Sequence, residues 1–206
     1  MGTGKRSRGD ARTDRGRARR GAILDAAIEV VARDGVGAVT HRAVAAVAGV
    51  PLAATTYYFA SKLDLLLEAF HHLTEQRMRA LDEALAILPP RMSPEVAAAG
   101  WAHALAENLR TEPARVLSEF EMHLEASRRA ELRDIHRRWE RKAMDYFTAS
   151  MTSLGSPHPE ADAALVLAAL TGLEIGELAN PTPHVERDLL APLLRRLLHA
   201  LVPPAR

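Results

Sequence analysis

The chain contains no cysteine, so a disulfide framework, a thiolate nucleophile and a thiolate metal site are all excluded. That fits a reducing cytoplasm. Long apolar runs are missing as well: the stretch from Ala161 to Leu173 is rich in alanine and glycine and too short and weakly apolar to span a bilayer. The N-terminus is charged and has no apolar segment behind it of the kind that directs export. A cytoplasmic chain, neither membrane-embedded nor exported, is expected. No segment alternates apolar and polar residues convincingly enough for a strand, and no repeat recurs at a fixed period, which argues against a solenoid. Enzyme signatures are absent too. There is no H-E-x-x-H, no E-x-x-H pair of the di-iron bundles, no G-x-S-x-G, no P-loop and no dinucleotide fingerprint. Glu119 with His123 and His103 with Glu107 are lone i, i+4 pairs. The expectation is a protein without catalysis, cofactor or metal.

What remains is 206 residues, 48% hydrophobic and 26% charged, the composition of one large or two small globular domains. The formal net charge of +1 conceals an asymmetry. Residues 1–62 hold 11 Lys and Arg against 5 Asp and Glu, net +6, whereas residues 63–206 hold 16 against 21, net −5. An anionic partner is therefore expected at the N-terminal end alone. Lys5, Arg6, Arg8, Arg12, Arg15, Arg17, Arg19 and Arg20 crowd the first twenty residues almost without apolar company. Residues 1–16 read as a disordered basic arm, either a solubilising tail or a source of unspecific phosphate attraction.

From Arg17 onward the apolar period is helical. Ile23, Ala26, Ala27, Val30 and Val31 form one stripe of a helix over 17–34, which Gly35 can end as a left-handed cap. Thr40 is a good N-cap for a helix of barely two turns that stops at Gly49. A second short helix runs from Pro51 to Phe59. Ser61 then caps a long helix carrying Leu63, Leu66, Leu67, Phe70, Leu73, Leu81, Leu85 and Leu88 until Pro89 and Pro90 break it. Punctuation at Pro94, Pro113, Gly155 to Pro157 and Asn180-Pro181 predicts further helices near 94–110, 113–127, 129–154, 159–179 and 184–202. The fold class is all-α, about nine helices: a three-helix unit over 17–62 and a larger bundle over 63–206.

Residues 40–62 carry the most information. Two short helices around a glycine turn make a helix-turn-helix, whose second helix can enter a groove about 12 Å wide. Small residues are needed where the helices touch, and Ala45, Ala48 and Gly49 supply them. Thr40 and Ser61, with Lys62 beside it, stand at helix N-termini, where free N–H groups attract phosphate. Three of the few aromatic residues crowd into Tyr57, Tyr58 and Phe59.

These residues resemble the TetR family of one-component transcriptional regulators. The resemblance covers about 17–70 and rests on T-x-x-x-V-A at 40–45, A-x-x-A-G-V ending at Val50, Y-Y-F at 57–59, S-K at 61–62 and the leucines that follow. It implies a dimer on palindromic double-stranded operator DNA, repression as the default, and a C-terminal domain whose small-molecule effector lowers DNA affinity. Residue by residue, it implies that Thr40 and Lys62 hold phosphates, that Arg42, next to His41, reaches a base, and that Pro51, Leu52, Ala53, Ala54, Thr55, Thr56, Tyr57 and Tyr58 form the recognition helix. Arginine is suited to guanine O6 and N7, and Leu52, Ala53 and Ala54 to thymine methyls. Phe59 is expected in the core. Many members have a lysine or polar residue, a glycine and a leucine-tyrosine pair where this chain has Leu52, Ala53, Thr55 and Thr56, so readout should lean on Arg42 and the basic arm.

The acidic half is legible only by its faces. Trp101 and Asn108 lie seven apart on one helical face, Phe120 and His123 share another, and Trp139, Tyr146 and Phe147 add large rings. A ring-walled cavity for a small ligand is one reading of these seven, ordinary core the other. Ala164, Leu165, Ala168, Gly172 and Gly176 make a small-residue face, and the leucines of the last helix, Leu190, Leu194 and Leu197 among them, exceed what one stripe requires. Together they predict a four-helix homodimer core. The alternatives are a helix-turn-helix protein without a ligand switch and a pure interaction bundle.

Overall fold

The structure, a computed structural model, describes residues 8–202 and is helical almost throughout. Helices α1 (Arg8–Asp34), α2 (His41–Val47), α3 (Leu52–Tyr58) and α4 (Lys62–Ala86) precede α5 (Pro94–Thr111), α6 (Pro113–Arg128), α7 (Ala130–Leu154), α8 (Pro159–Ala179) and α9 (Ala191–Leu201). A 3-10 turn at Val36–Ala38 and a π turn at Glu186–Leu190 complete the described elements. Proline sits in the first turn of α5, α6 and α8, where its missing N–H would have no helical partner. No described helix is long and apolar enough to cross a membrane.

The chain divides into two compact units, through Leu73 and from Thr74. The division falls inside α4 rather than after Lys62, because Leu65, Leu66, Ala69, Phe70 and Leu73 are buried. In the first unit the predicted stripe of α1, Ile23, Ala26, Ala27, Val30 and Val31, is buried together with Val44, Ala45 and Phe59. Burying each of the larger side chains contributes about 1.5–3 kcal/mol. Arg20 donates to Glu68 at 2.6 Å and lies over the Phe59 ring, 5.4 Å from its centroid. Two expectations need correction. Helix α1 starts at Arg8, so Arg8 to Gly16 are helical and not a disordered arm; residues 1–7 of that arm lie outside the described residues. Gly35 has the positive φ predicted, +79°, but an extended ψ of 165°, so it turns the chain into the 3-10 turn without a left-handed helical cap.

In the second unit α7 packs on α8 and α5 on α9. Trp101, Ala102 and Leu105 of α5, Phe147 and Met151 of α7, Val166 and Leu170 of α8, and Leu194 and Leu198 of α9 share one core. The connection between α4 and α5 is held to α7 by Ser153, whose hydroxyl donates to the Pro89 carbonyl at 2.6 Å and whose carbonyl accepts from Met92 N–H at 3.1 Å.

Candidate functional site

The helix-turn-helix is built from local chemistry. Thr40 caps α2, its Oγ1 accepting from Ala43 N–H at 3.1 Å. Gly49, φ +63°, ends α2: Val50 N–H reaches back to the Ala45 carbonyl at 3.0 Å and Gly49 N–H to that of Ala46 at 3.4 Å, the paired bonds of a Schellman closure. Few side chains other than glycine tolerate that φ. Helix α3 follows at once, and its two faces differ sharply. Leu52, Ala53, Thr56 and Tyr57 are exposed, Tyr57 at 82%. They fall at i, i+1, i+4 and i+5, one side of a helix. Thr40, Arg42, Pro51 and Lys62 are exposed as well. Lys62 Nζ donates to the Gly37 carbonyl at 2.7 Å. His41, Ala54 and Tyr58 are half-buried, Tyr58 standing edge-on to Tyr57 at 5.1 Å.

Thr55 is a correction. It is fully buried and donates to the Leu52 carbonyl at 2.8 Å and the His41 carbonyl at 3.4 Å, so its hydroxyl locks α3 onto α2 and does not face outward. Phe59, one turn on, is 1% exposed and belongs to the core as expected.

The second unit encloses a cavity of about 310 Å³ between helices, and all seven ring and polar residues singled out in its sequence line it: Trp101, Asn108, Phe120, His123, Trp139, Tyr146 and Phe147. Trp101 donates from Nε1 to the Tyr146 oxygen at 3.1 Å and meets the Phe147 ring edge-on at 5.3 Å. His123 donates from Nδ1 to the Glu119 carbonyl at 2.6 Å and stands edge-on to Trp139 at 5.0 Å. Behind His123, burial and then the neighbouring His123 hold the His136 imidazole below its usual pKa.

Three charged residues that the periodicity analysis passed over also line this cavity: Arg77 of α4, Glu119 of α6 and Glu174 of α8. Arg77 Nε lies 2.7 Å from Glu119, and its Nη2 is 3.8 Å from Glu174. Burial pushes Glu119 up despite the Arg77 charge opposite. Burial, with the Glu119 charge adding to it, raises Glu174 to about 7 against the pull of Arg77. Burial opposes the charge on Arg77, yet the two carboxylates outweigh it and raise its pKa. A sequence signal existed for Arg77 and Glu174. Arg77 stands midway between Leu73 and Leu81 on the apolar stripe of α4, and Glu174 lies seven residues beyond Leu167 on that of α8. A charge on a core stripe asks for a buried partner. A larger, open hollow of about 840 Å³ beside the α8–α9 connection has no Phe, Trp or Tyr in its lining and contains none of the expected residues. Among the described residues no three or more His, Asp or Glu side chains are grouped to hold a metal ion.

The residues expected at a subunit interface separate into two sets. Ala164, Leu165, Ala168, Gly172 and Gly176 are exposed along one side of α8, where Ile175 joins them at 53% exposure. Leu190 and Leu194 are corrections: both are buried in the core of their own unit. Leu197 is half-buried against that core, and the leucine α9 leaves outside is Leu193.

Comparison with known proteins covers both units. The family model described as bacterial regulatory proteins, tetR family, matches residues 23–69, and that of the tetracyclin repressor-like C-terminal domain matches 92–203. The HTH-type transcriptional regulator BetI of Agrobacterium fabrum is 30% identical over 80% of this chain and 79% of its own. A TetR-family member from Streptomyces coelicolor is 31% identical, with a TM-score of 0.71 over 90% of this chain and 98% of that one. The multidrug binding protein EbrR, solved in complex with ethidium, is 31% identical, with a TM-score of 0.66 over 90% of this chain and 99% of its own.

Proposed function

The chain belongs to the TetR family of transcriptional regulators, and on that premise we propose that it is a ligand-responsive repressor that binds palindromic operator DNA as a homodimer and is released by a small molecule. The observation that carries the reading is the outer face of α3. A tyrosine 82% exposed beside Leu52 and Thr56, with Arg42 and Lys62 at neighbouring helix starts, is costly surface for a structural helix and useful surface for a groove-reading one. Arg42 reads a guanine edge, Thr40 and Lys62 position the backbone, and Leu52 and Ala53 meet thymine methyls. Ala164, Leu165, Ala168, Gly172 and Gly176, with Ile175 and Leu193, pair across the two-fold axis and set the recognition helices roughly 34 Å apart, one DNA turn.

The effector occupies the aromatic cavity of the second unit. EbrR, also solved with proflavin and malachite green, supports such a role for the corresponding domain here. Helix α4 supplies Arg77 to the cavity and, at its other end, Leu65, Leu66 and Phe70 to the core of the first unit. A ligand that favours another setting of this one helix changes the spacing of the recognition helices. Coupling of this kind is reciprocal and typically 5 to 150-fold. The test is fluorescence anisotropy of a labelled duplex from the region upstream of the gene, with and without a compound found by thermal shift. Weaker duplex binding in its presence, matched by an equal loss of compound affinity on the duplex, is expected. Equal affinities in all arms refute the switch.

A further inference from the structure

We propose that the outer face of α7 is a second duplex-contact surface, which takes the phosphate backbone of double-stranded DNA without regard to sequence. The inference rests on the operator-binding reading above for the class of polyanion and adds a contact outside the helix-turn-helix.

Splitting the charge by halves conceals this face. Between Arg128 and Lys142 stand seven Arg and Lys against Glu131, Asp134 and Glu140, net +4, whereas the other residues of 74–206 hold 9 against 16, net −7. Arg129, Arg133, Arg137 and Arg141 follow one another at four-residue steps, a row roughly 18 Å long with charges about 6 Å apart. Like charges at that spacing destabilise a helix, and a polyanion laid along the row relieves them. Not every cation in it is available. Arg128 and Arg129 are held by Glu125, and Arg133 donates to the Ala126 and Ser127 carbonyls at 3.2 and 3.4 Å. Arg137 is paired with Asp134, and Lys142 with Asp82. Arg138 and Arg141 are exposed, and among the described residues neither has a carboxylate partner. With Arg137 they lie within about 100° of one another around the helix. The face also selects phosphate over protein. Large apolar side chains stand exposed on α5, α6, α8 and α9, and none on α7. A protein partner needs a desolvated apolar centre. A duplex needs none: its interfaces are polar and positively charged, and it offers roughly ten phosphates over the length of the row. Two or three such contacts are weak alone and add to those of the first unit.

The test reads salt slopes. Anisotropy titrations of the full chain use the duplex upstream of the gene and a scrambled duplex of equal length, from about 50 to 200 mM KCl. Arg137→Gln, Arg138→Gln and Arg141→Gln combined are expected to weaken both duplexes alike, about tenfold or more, and to flatten the plot of log K against log salt by about 2 to 3. The ratio between the two duplexes should stay within about twofold of the parent's. Replacing the same three residues by Lys, which keeps the charge, should retain the slope. So should Arg91→Gln, Arg110→Gln and Arg187→Gln combined, which remove three exposed arginines of the same unit away from α7. Arg138→Gln or Arg141→Gln alone should lower the slope by about 0.9, so the matter is decided even if the triple variant does not fold. An unchanged slope, a loss confined to one duplex, or an equal loss on removing Arg91, Arg110 and Arg187 would each overturn the proposal. Labelled poly-L-glutamate bound through the three α7 arginines, with duplex slopes unchanged, would hand the face to an acidic protein and overturn it as well. A parent that prefers neither duplex, with a slope that depends on these arginines, upholds the contact and overturns the operator reading. Preference for the upstream duplex with a slope indifferent to them does the reverse.

Discussion

The two units use the same kind of element for opposite ends. In the first, a helix of seven residues keeps Thr55 inside and leaves Tyr57 out, and its charged neighbours stand at the surface. In the second, longer helices turn rings and three charges inward around a cavity. An exposed cation keeps its hydration until a phosphate or base edge replaces it. A buried carboxylate has no such reserve and must find its partner inside the protein or in a ligand. Short helices therefore suit a surface that reads, and long helices with charges on their core stripes suit a cavity that waits for a guest.

That contrast can be broken from either side. The largest effect is expected from Phe59→Ala, which empties the core of the first unit and should cost about 3–5 kcal/mol of stability by denaturant unfolding. Duplex binding should be lost, while tryptophan quenching by a cavity ligand persists, since both tryptophans lie in the second unit. Loss of both functions together would show that the units are not separable.

The next effect is a pH slope. The Glu174 carboxyl rises from 4.5 to about 7 in the folded protein, so the folded state holds its proton more tightly than the unfolded chain. Stability from this group is then present below about pH 4.5 and lost as pH rises toward 7, on the order of 3 kcal/mol across the window. Subtracting the unfolding curve of Glu174→Gln from that of the parent isolates the term.

Smaller effects sharpen the first unit. Arg42→Ala should weaken operator binding by about 1–3 kcal/mol and relax preference at one base position per half-site, measured by anisotropy on single-base variants. Uniform weakening over all bases would reduce Arg42 to a phosphate contact. Thr55→Val should cost about 1–2 kcal/mol of stability, since the Leu52 and His41 carbonyls lose a buried donor, yet leave duplex affinity within twofold. A selective loss of duplex affinity would return Thr55 to the reading face.

Where the sequence was legible, a local rule was strong enough to act alone. Pro94 and Pro113 opened α5 and α6 as expected, and all five residues of the predicted α1 stripe are buried, with Leu24 and Ile28 beside them. The seven cavity residues met because each stood on an apolar stripe of a helix facing inward. Where reading failed, the deciding fact was tertiary. The stretch Arg8–Gly16 carries no apolar stripe, so periodicity could not report its helix. A surplus of leucines in the last helix does not say which face turns outward, and packing on α5 took Leu190 and Leu194 into the core and left Leu193 outside. Arg77, Glu119 and Glu174 are separated by scores of residues, and only the folded bundle shows that they answer one another.

The central claim is that α3 presents its outer face, in two copies, to successive major grooves. Selection of duplexes from a random library by the full-length protein tests it most directly. The account predicts enrichment of an inverted repeat with half-site centres about one helical turn apart, and loss of information at one position per half-site with Arg42→Ala. No enrichment, or an enriched site without two-fold symmetry, would contradict it.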